Sequence, residues 1–224
     1  PSVYWERLCE RSVVRLVRLA YTHIRAYRQL LQQHRIAPTR IRHASDLRLL
    51  PIVDKASYVR MHTLSDLIPN GDVGALTTIS ATSGSTGESL YFPRGEAQDE
   101  QYAYIAEQFL CNQFGIDRKK TLGIIGFGFG IWIGGIFTYK TFNTIAQKGY
   151  ALTLIPTGPD IATYCKAFKK FAASFDQIIL MGYPPFIKDV LDEGKEYGID
   201  WKAHNCKILT AAEGFSEEFR TYVA

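Results

Sequence analysis

Residues 77–88 read Thr-Thr-Ile-Ser-Ala-Thr-Ser-Gly-Ser-Thr-Gly-Glu, a β-prone run that passes directly into hydroxyl side chains interleaved with two glycines. Small residues let backbone N–H groups come close to an anion, and the hydroxyls of Thr82, Ser83, Ser85 and Thr86 supply further donors, so the segment has the make-up of a phosphate cradle. Its spacing excludes two familiar alternatives. Gly84 to Gly87 is too short for a Walker A loop and no Gly-Lys-Ser/Thr follows, while Gly84-Ser85-Thr86-Gly87 lacks the second spacer of a Gly-x-Ser-x-Gly nucleophile elbow. Composition alone leaves a plain Ser/Thr/Gly turn as open as a phosphate site.

Other residues with chemical potential form no second site. His23, His34, His43, His62 and His204 are scattered, with no Ser or Cys placed to act as a nucleophile beside them. Cys9, Cys111, Cys165 and Cys206 stand far apart without a Cys-x-x-Cys pair, so four reduced thiols and no metal site are expected. Gly126, Gly128 and Gly130 follow an apolar run, but Ile131 stands where a dinucleotide fingerprint needs its third glycine; a glycine-rich turn lining an apolar pocket is the reading we adopt. Lys166, Lys169 and Lys170 share one helical face, which we read as solvated.

The elements that must position the cradle follow from periodicity. Residues 12–34 have apolar recurrence near the helical period and no Gly or Pro, which predicts one long helix, and Pro69-Asn70-Gly71-Asp72 predicts a turn. From residue 75 the pattern changes to short apolar runs at 122–127, 151–155, 177–181 and 207–210, starting 26 to 30 residues apart. That spacing fits a strand, a crossover helix and a parallel return strand. Gly149 should close the first intervening helix, Asp160 cap the second, Pro184-Pro185 open the third and Gly198 close it, with Ser216 capping a last one. The expected fold class is therefore α/β, a mainly parallel sheet flanked by helices, with a helical segment at 1–74 and an α/β nucleotide-binding region at 75–224.

Charge is uneven. The chain is +4 overall, yet residues 1–48 hold ten Arg against Glu6, Glu10 and Asp46, a local +7 that leaves −3 for the remainder. Such an arm suits nucleic acid or an anionic membrane, but Arg11, Arg15, Arg18, Arg25 and Arg28 alternate with Val14, Val17, Ile24 and Leu31, as on the wet side of an ordinary amphipathic helix, and the solvated face is the expectation. The apolar run at 121–137 falls short of the roughly 20 residues a membrane span needs. The first seven residues, with Glu6 and Arg7, lack a signal-peptide pattern, so a cytoplasmic location is expected.

Thr82-Ser-Gly-Ser-Thr-Gly87 resembles the phosphate-binding loop of the adenylate-forming superfamily, whose acyl-CoA synthetases condense a carboxylate with ATP. Tyr27-Arg28 through Pro38 and the run from Ser45 through Asp54-Lys55 are similar to the entry region of phenylacetate-CoA ligase-like proteins. Gly182-Tyr183-Pro184-Pro185 looks like that family's Gly-x-Pro-Ser segment, and Ala211-Ala212-Glu213-Gly214 with Ser216-Glu217 like its Gly-Ala-Glu-Pro-x-Ser-Glu segment. Four matches in order cover nearly the whole chain.

The resemblance implies an AMP-forming carboxylate-CoA ligase with ATP, Mg2+ and coenzyme A as co-reactants and a small carboxylic acid as partner, without nucleic acid. Ser83, Gly84, Ser85, Thr86 and Gly87 would hold the phosphates; Ala212, Glu213 and Gly214 would line the adenine side; Trp132, Gly134, Tyr183 and Pro184 would wall the acyl pocket. Phe127, Phe129 and Phe137 nearby favour an aromatic or apolar acid. The family's catalytic residues and mobile-domain lysine would lie downstream of residue 224, so this stretch alone is expected to be incomplete for catalysis. The family loop usually continues with lysine, whereas Glu88-Ser89-Leu90 follows here. Arg94 either replaces that charge or is simply exposed, the second being the expectation. Two other readings stay open: a non-catalytic module that retains the fold, and an adenylating enzyme of polysaccharide or secondary metabolism with an acceptor other than coenzyme A.

Overall fold

The computed structural model describes residues 2–82 and 89–223. They pack as two compact units, Pro1–Thr77 and Thr78–Ala224.

The first unit is helical. Helices α1 (Ser2–His23) and α2 (Arg25–Gln33) are followed by short 3-10 turns and the four-residue α3 (Leu64–Leu67). One unbroken helix over 12–34 was expected; instead α1 begins ten residues earlier and the backbone turns extended at Ile24 (φ −104°, ψ 111°). The break is held by the Arg28 guanidinium, which donates to the carbonyl oxygens of Tyr21 at 3.0 Å and Thr22 at 2.5 Å, two of the acceptors that a helix end leaves unmet. Val17, Ala26, Leu31, Ile41 and Ile68 form the buried centre of this unit. The turn at Pro69–Gly71 is present, with Asn70 left-handed at φ 56°.

The second unit opens on a two-stranded sheet, β1 (Leu76–Ala81) and β2 (Tyr91–Gly95), followed by α4 (Glu96–Phe109). Then come β3 (Thr121–Ile125), α5 (Ile133–Ala146), β4 (Leu152–Pro156), α6 (Ile161–Phe171), β5 (Gln177–Gly182), α7 (Pro184–Glu193), β6 (Cys206–Thr210) and α8 (Glu217–Val223). Strands β3 to β6 form a four-stranded parallel sheet in the order β4-β3-β5-β6. Every residue of β3 and β5 is buried, as central strands covered on both faces require, which is why they read as continuous apolar runs rather than alternating ones.

The two faces are separate cores. Ile125, Ile179 and Met181 point with Phe142 and Ile145 of α5 and Leu110 at the end of α4, whereas Leu122, Ile124, Ile178 and Leu180 pack with Tyr164 and Phe168 of α6 and Ile187 and Val190 of α7. Helix α5 therefore covers one face and α6 and α7 the other. The expected punctuation is present at Gly149 (φ 99°), at Asp160, whose carboxylate accepts from the Thr163 amide at 2.6 Å, and at Pro184-Pro185. Ser216 accepts from the Phe219 amide at 3.2 Å. The end of α7 differs from expectation: the helix stops at Glu193, not near Gly198. Trp201 sets that end, because its indole N–H donates to the Leu191 carbonyl at 3.0 Å and its ring lies against Gly194, where a Cβ would stand 2.3 Å from Cζ2. Gly198 (φ 69°) closes the turns that follow.

Candidate functional site at the carboxyl ends of the strands

Strand β3 is followed by β4 on one side and, after a further crossover, by β5 on the other, with the connecting helices on opposite faces. In an open parallel sheet the two connections leaving such a reversal diverge and open a crevice at the carboxyl ends of the strands, the usual ligand position.

The loop 126–132 follows β3 at this end of the sheet. The Gly126 amide donates to the Met181 carbonyl at 2.8 Å, tying the end of β3 to the end of β5. A Cβ at Gly126 would stand 2.2 Å from the Phe186 ring, so the approach demands glycine. Gly135 is equally constrained, its hypothetical Cβ lying 2.4 Å from the Gly128 carbonyl oxygen, to which its own amide donates at 3.0 Å. On the β4 side, the Thr157 hydroxyl and the Gly158 amide both donate to the Ile125 carbonyl, at 3.1 and 3.0 Å.

The loop also joins the end of β1. The Ala81 amide donates to the Ile131 carbonyl at 2.8 Å, and Ala81 forms a parallel bridge with Trp132. Thr82 follows and closes the base of the β1–β2 connection, its amide donating to the Leu90 carbonyl at 3.0 Å and its hydroxyl oxygen accepting from the Leu90 amide at 3.3 Å. The segment between carries Ser83, Gly84, Ser85, Thr86 and Gly87, which lie outside the described residues. On the β1 side the segment begins next to Thr82, which follows Ala81, the bridge partner of Trp132.

Trp132 caps α5 and is partly exposed; Gly134 lies in the first turn of α5 against Phe127. Tyr183 caps α7, half-buried, and Pro184 is its buried first residue. Gly182 pairs in register with Thr210, so the end of β5 stands beside the segment holding Ala212 (φ 79°), Glu213 and Gly214, all three exposed. The path from Thr82 through Trp132, Gly126 and Gly182 to Thr210 is thus continuous along one rim. Among the described residues no group of His, Cys, Asp and Glu is arranged to hold a metal.

Three residues stand apart from expectation. Arg94 is not the exposed residue expected: its side chain is 14% exposed, it donates to Asp99 at 3.0 and 2.5 Å, and it lies 3.4 Å over the Phe137 ring. Phe137 is therefore occupied by Arg94 and by Tyr102 rather than offered to an acid. Phe127 is buried in the core against α5, leaving Phe129, Trp132 and Tyr183 as the aromatic groups near the crevice.

Asp99 also accepts from Lys140 at 2.6 Å, which links β2, α4 and α5 through one carboxylate. Burial alone would raise its pKa, but the bonds from Lys140 and Arg94 outweigh burial and hold it below the ordinary carboxylate value. Sequence reading missed this carboxylate, whose partners come from both sides of it in the chain. It also missed Tyr164, whose buried hydroxyl donates to the Ile124 carbonyl at 3.1 Å and accepts from the Met181 amide at 3.0 Å just below the crevice. Burial pushes this phenol well above its usual range.

No protein-family model matches the chain, and no curated protein matches its sequence. Solved structures do match its shape. An open conformation of 2-hydroxyisobutyryl-CoA ligase in complex with 2-HIB-AMP and CoA superposes with a TM-score of 0.75 at 14% identity, over 96% of this chain and 49% of that one. The same ligase with both ligands in the thioesterification state gives 0.74 at 14% identity, over 94% and 44%. In the postadenylation state with 2-HIB-AMP it gives 0.74 at 13% identity, over 94% and 43%. The chain spans about half the length of these structures or less, and its fold is that of the N-terminal domain of an acyl-CoA ligase.

Proposed function

We propose that the chain is the nucleotide- and acid-binding part of an AMP-forming carboxylate-CoA ligase. The observation that carries this reading is the single rim on which the two flanks of the Ser/Thr/Gly segment, the 126–132 loop, Tyr183 and the 212–214 segment converge, in a fold whose solved examples hold an acyl-adenylate and CoA.

In this reading MgATP is a substrate. Backbone amides and hydroxyls of residues 83–87 hold its phosphates, and Ala212, Glu213 and Gly214 flank the adenine. A carboxylate oxygen attacks the α-phosphorus and pyrophosphate leaves; the CoA thiolate then attacks the acyl carbon and AMP leaves. Positioning and fixed donors supply most of the rate in such a step. Phe129, Trp132 and Tyr183 favour an apolar or aromatic acid. The cytoplasm, where ATP and CoA are plentiful and the four free cysteines would stay reduced, is the location we assign.

Calorimetric titration of the folded chain with MgATP, beside a variant carrying Ser85→Ala and Thr86→Ala, tests the assignment. Binding weakened about tenfold or more in the variant is expected, from the loss of hydrogen bonds to a charged ligand. Equal affinity in both proteins would refute the phosphate role of the segment.

A further inference from the structure

Helix α1 has an outer surface that neither its own unit nor the proposed chemistry uses. At about 100° per residue, Val17 and the half-buried Val13, Val14, Ala20 and Tyr21 fall on the inner side. Arg7, Arg11, Arg15 and Arg18 make one exposed stripe, and Trp5, Leu8, Leu16 and Leu19 make the next. These four apolar side chains are 63%, 41%, 66% and 43% exposed, far more than a solvated arginine face requires. Tyr4, 64% exposed, sits among the arginines.

The charge on this half of the helix has one sign. Glu6 and Glu10 both project from the other half, and Glu10 is engaged, accepting from the Ala44 amide at 2.8 Å and lying 3.6 Å from His43. Beside the arginine stripe runs an open groove of about 640 Å3, lined by Arg11, Arg15, Arg18 and Arg42 and, at the side where it is engaged with Ala44 and His43, by Glu10. Four guanidiniums around an open groove next to an apolar stripe complement a surface that is anionic at its face and apolar just beneath, which is the cross-section of a bilayer rich in acidic phospholipid. A duplex nucleic acid would answer the arginines but leave the four apolar residues wet.

We propose that α1 seats the protein flat on an anionic membrane surface, with Trp5, Leu8, Leu16 and Leu19 entering the headgroup boundary and Arg11, Arg15, Arg18 and Arg42 engaging lipid phosphates. No helix among the described residues is long and apolar enough to cross a membrane, and α1 would lie along the surface. It would hold a ligase of this kind beside membrane-embedded acids or acceptors.

Co-sedimentation of the 224-residue chain with phosphatidylcholine vesicles, with and without phosphatidylserine, tests the idea. The chain should bind the acidic vesicles and release at high salt. Arg11→Glu with Arg15→Glu should weaken binding by at least tenfold, given roughly fivefold per basic residue. Leu8→Ser with Leu16→Ser should also weaken it without lowering the melting temperature, since both side chains are already exposed. Acidic vesicles should shift Trp emission to the blue, and Trp5→Phe should remove that shift while leaving the protein bound. Equal affinity for neutral and acidic vesicles, or no binding by folded protein, would overturn the proposal. So would self-association without lipid that Leu8→Ser with Leu16→Ser dissolves, or tight nucleic-acid binding that this double change leaves intact.

Discussion

Replacing Asp99 with Asn tests whether one carboxylate joins the hairpin that frames the Ser/Thr/Gly segment to the helices behind it. The asparagine keeps the shape and one acceptor but removes the charge between Arg94 and Lys140, which approach the carboxylate at 2.5 and 2.6 Å. Asp99 and Arg94 are nearly buried, whereas Lys140 is 45% exposed and partly screened, so the loss should fall short of the 3 to 5 kcal/mol typical when one partner of a fully buried ion pair is removed. About 2 to 3 kcal/mol is the expected cost, or roughly 5–10 °C in melting temperature for a chain of this size. The pH dependence identifies the cause. Because the folded pKa of Asp99 is depressed, its stabilisation is complete above the unfolded value near ~3.9 and is lost as pH falls through the folded value. Melts of the two proteins should therefore differ at neutral pH and converge in acid. Adding Lys140→Met to the Asn variant should cost less than Lys140→Met alone, since the remaining cation then has no carboxylate to lose. A neutral-pH difference below about 0.5 kcal/mol, within the range of an ordinary surface change, or a difference that persists in strong acid, would refute the reasoning.

Tyr164→Phe should cost about 1.5–3 kcal/mol in urea titrations, because the Ile124 carbonyl and Met181 amide are left without their buried hydroxyl; faster hydrogen exchange at the Met181 amide would show that the loss is local. Gly134→Ala and Gly135→Ala, neighbours in α5, should diverge. At Gly134 the new methyl meets Phe127 at an ordinary 3.5 Å and helix propensity favours alanine by up to about 1 kcal/mol, whereas at Gly135 it meets backbone at 2.4 Å and should cost about 2–3 kcal/mol, both readable from thermal melts.

Parallel strands and their caps were legible in the sequence because they depend on local pattern: β3 and β5 are apolar throughout since both faces are covered, and Asp160 and Pro184 act on their own helices. What was not legible depends on residues distant in the chain. The end of α7 is set by Trp201, and the carboxylate that pairs with Arg94 is shared with Lys140, 41 residues beyond Asp99. Phe137 looks like a pocket residue by composition and is covered by that same arginine. Periodicity likewise separates the inner side of α1 from the outer but cannot show that Leu16 and Leu19 are left 66% and 43% exposed. For the site, its outer supports were readable as motifs, while the contacts that bring them to one rim, Ala81 with Trp132 and Gly182 with Thr210, are properties of the sheet.

The glycines around the crevice divide into two groups, and the division offers a way to separate fold from function. Gly126, Gly135 and Gly182 are closed, each with a neighbour within 2.8 Å of where a Cβ would be, so their identity is explained by packing alone. Gly214 has nothing within 4 Å among the described residues, and no positive φ sets it apart, so neither their packing nor backbone strain requires glycine there. Gly214→Ala should thus leave the melting temperature within a degree or two, as an exposed change of this kind does. If the 212–214 segment lies against adenine, the same methyl should still weaken MgATP binding measurably, because it occupies space the base needs. Unchanged stability with unchanged affinity would remove Gly214 from the nucleotide site, and a large loss of stability would mean that the segment is packed in a way its open surroundings do not show.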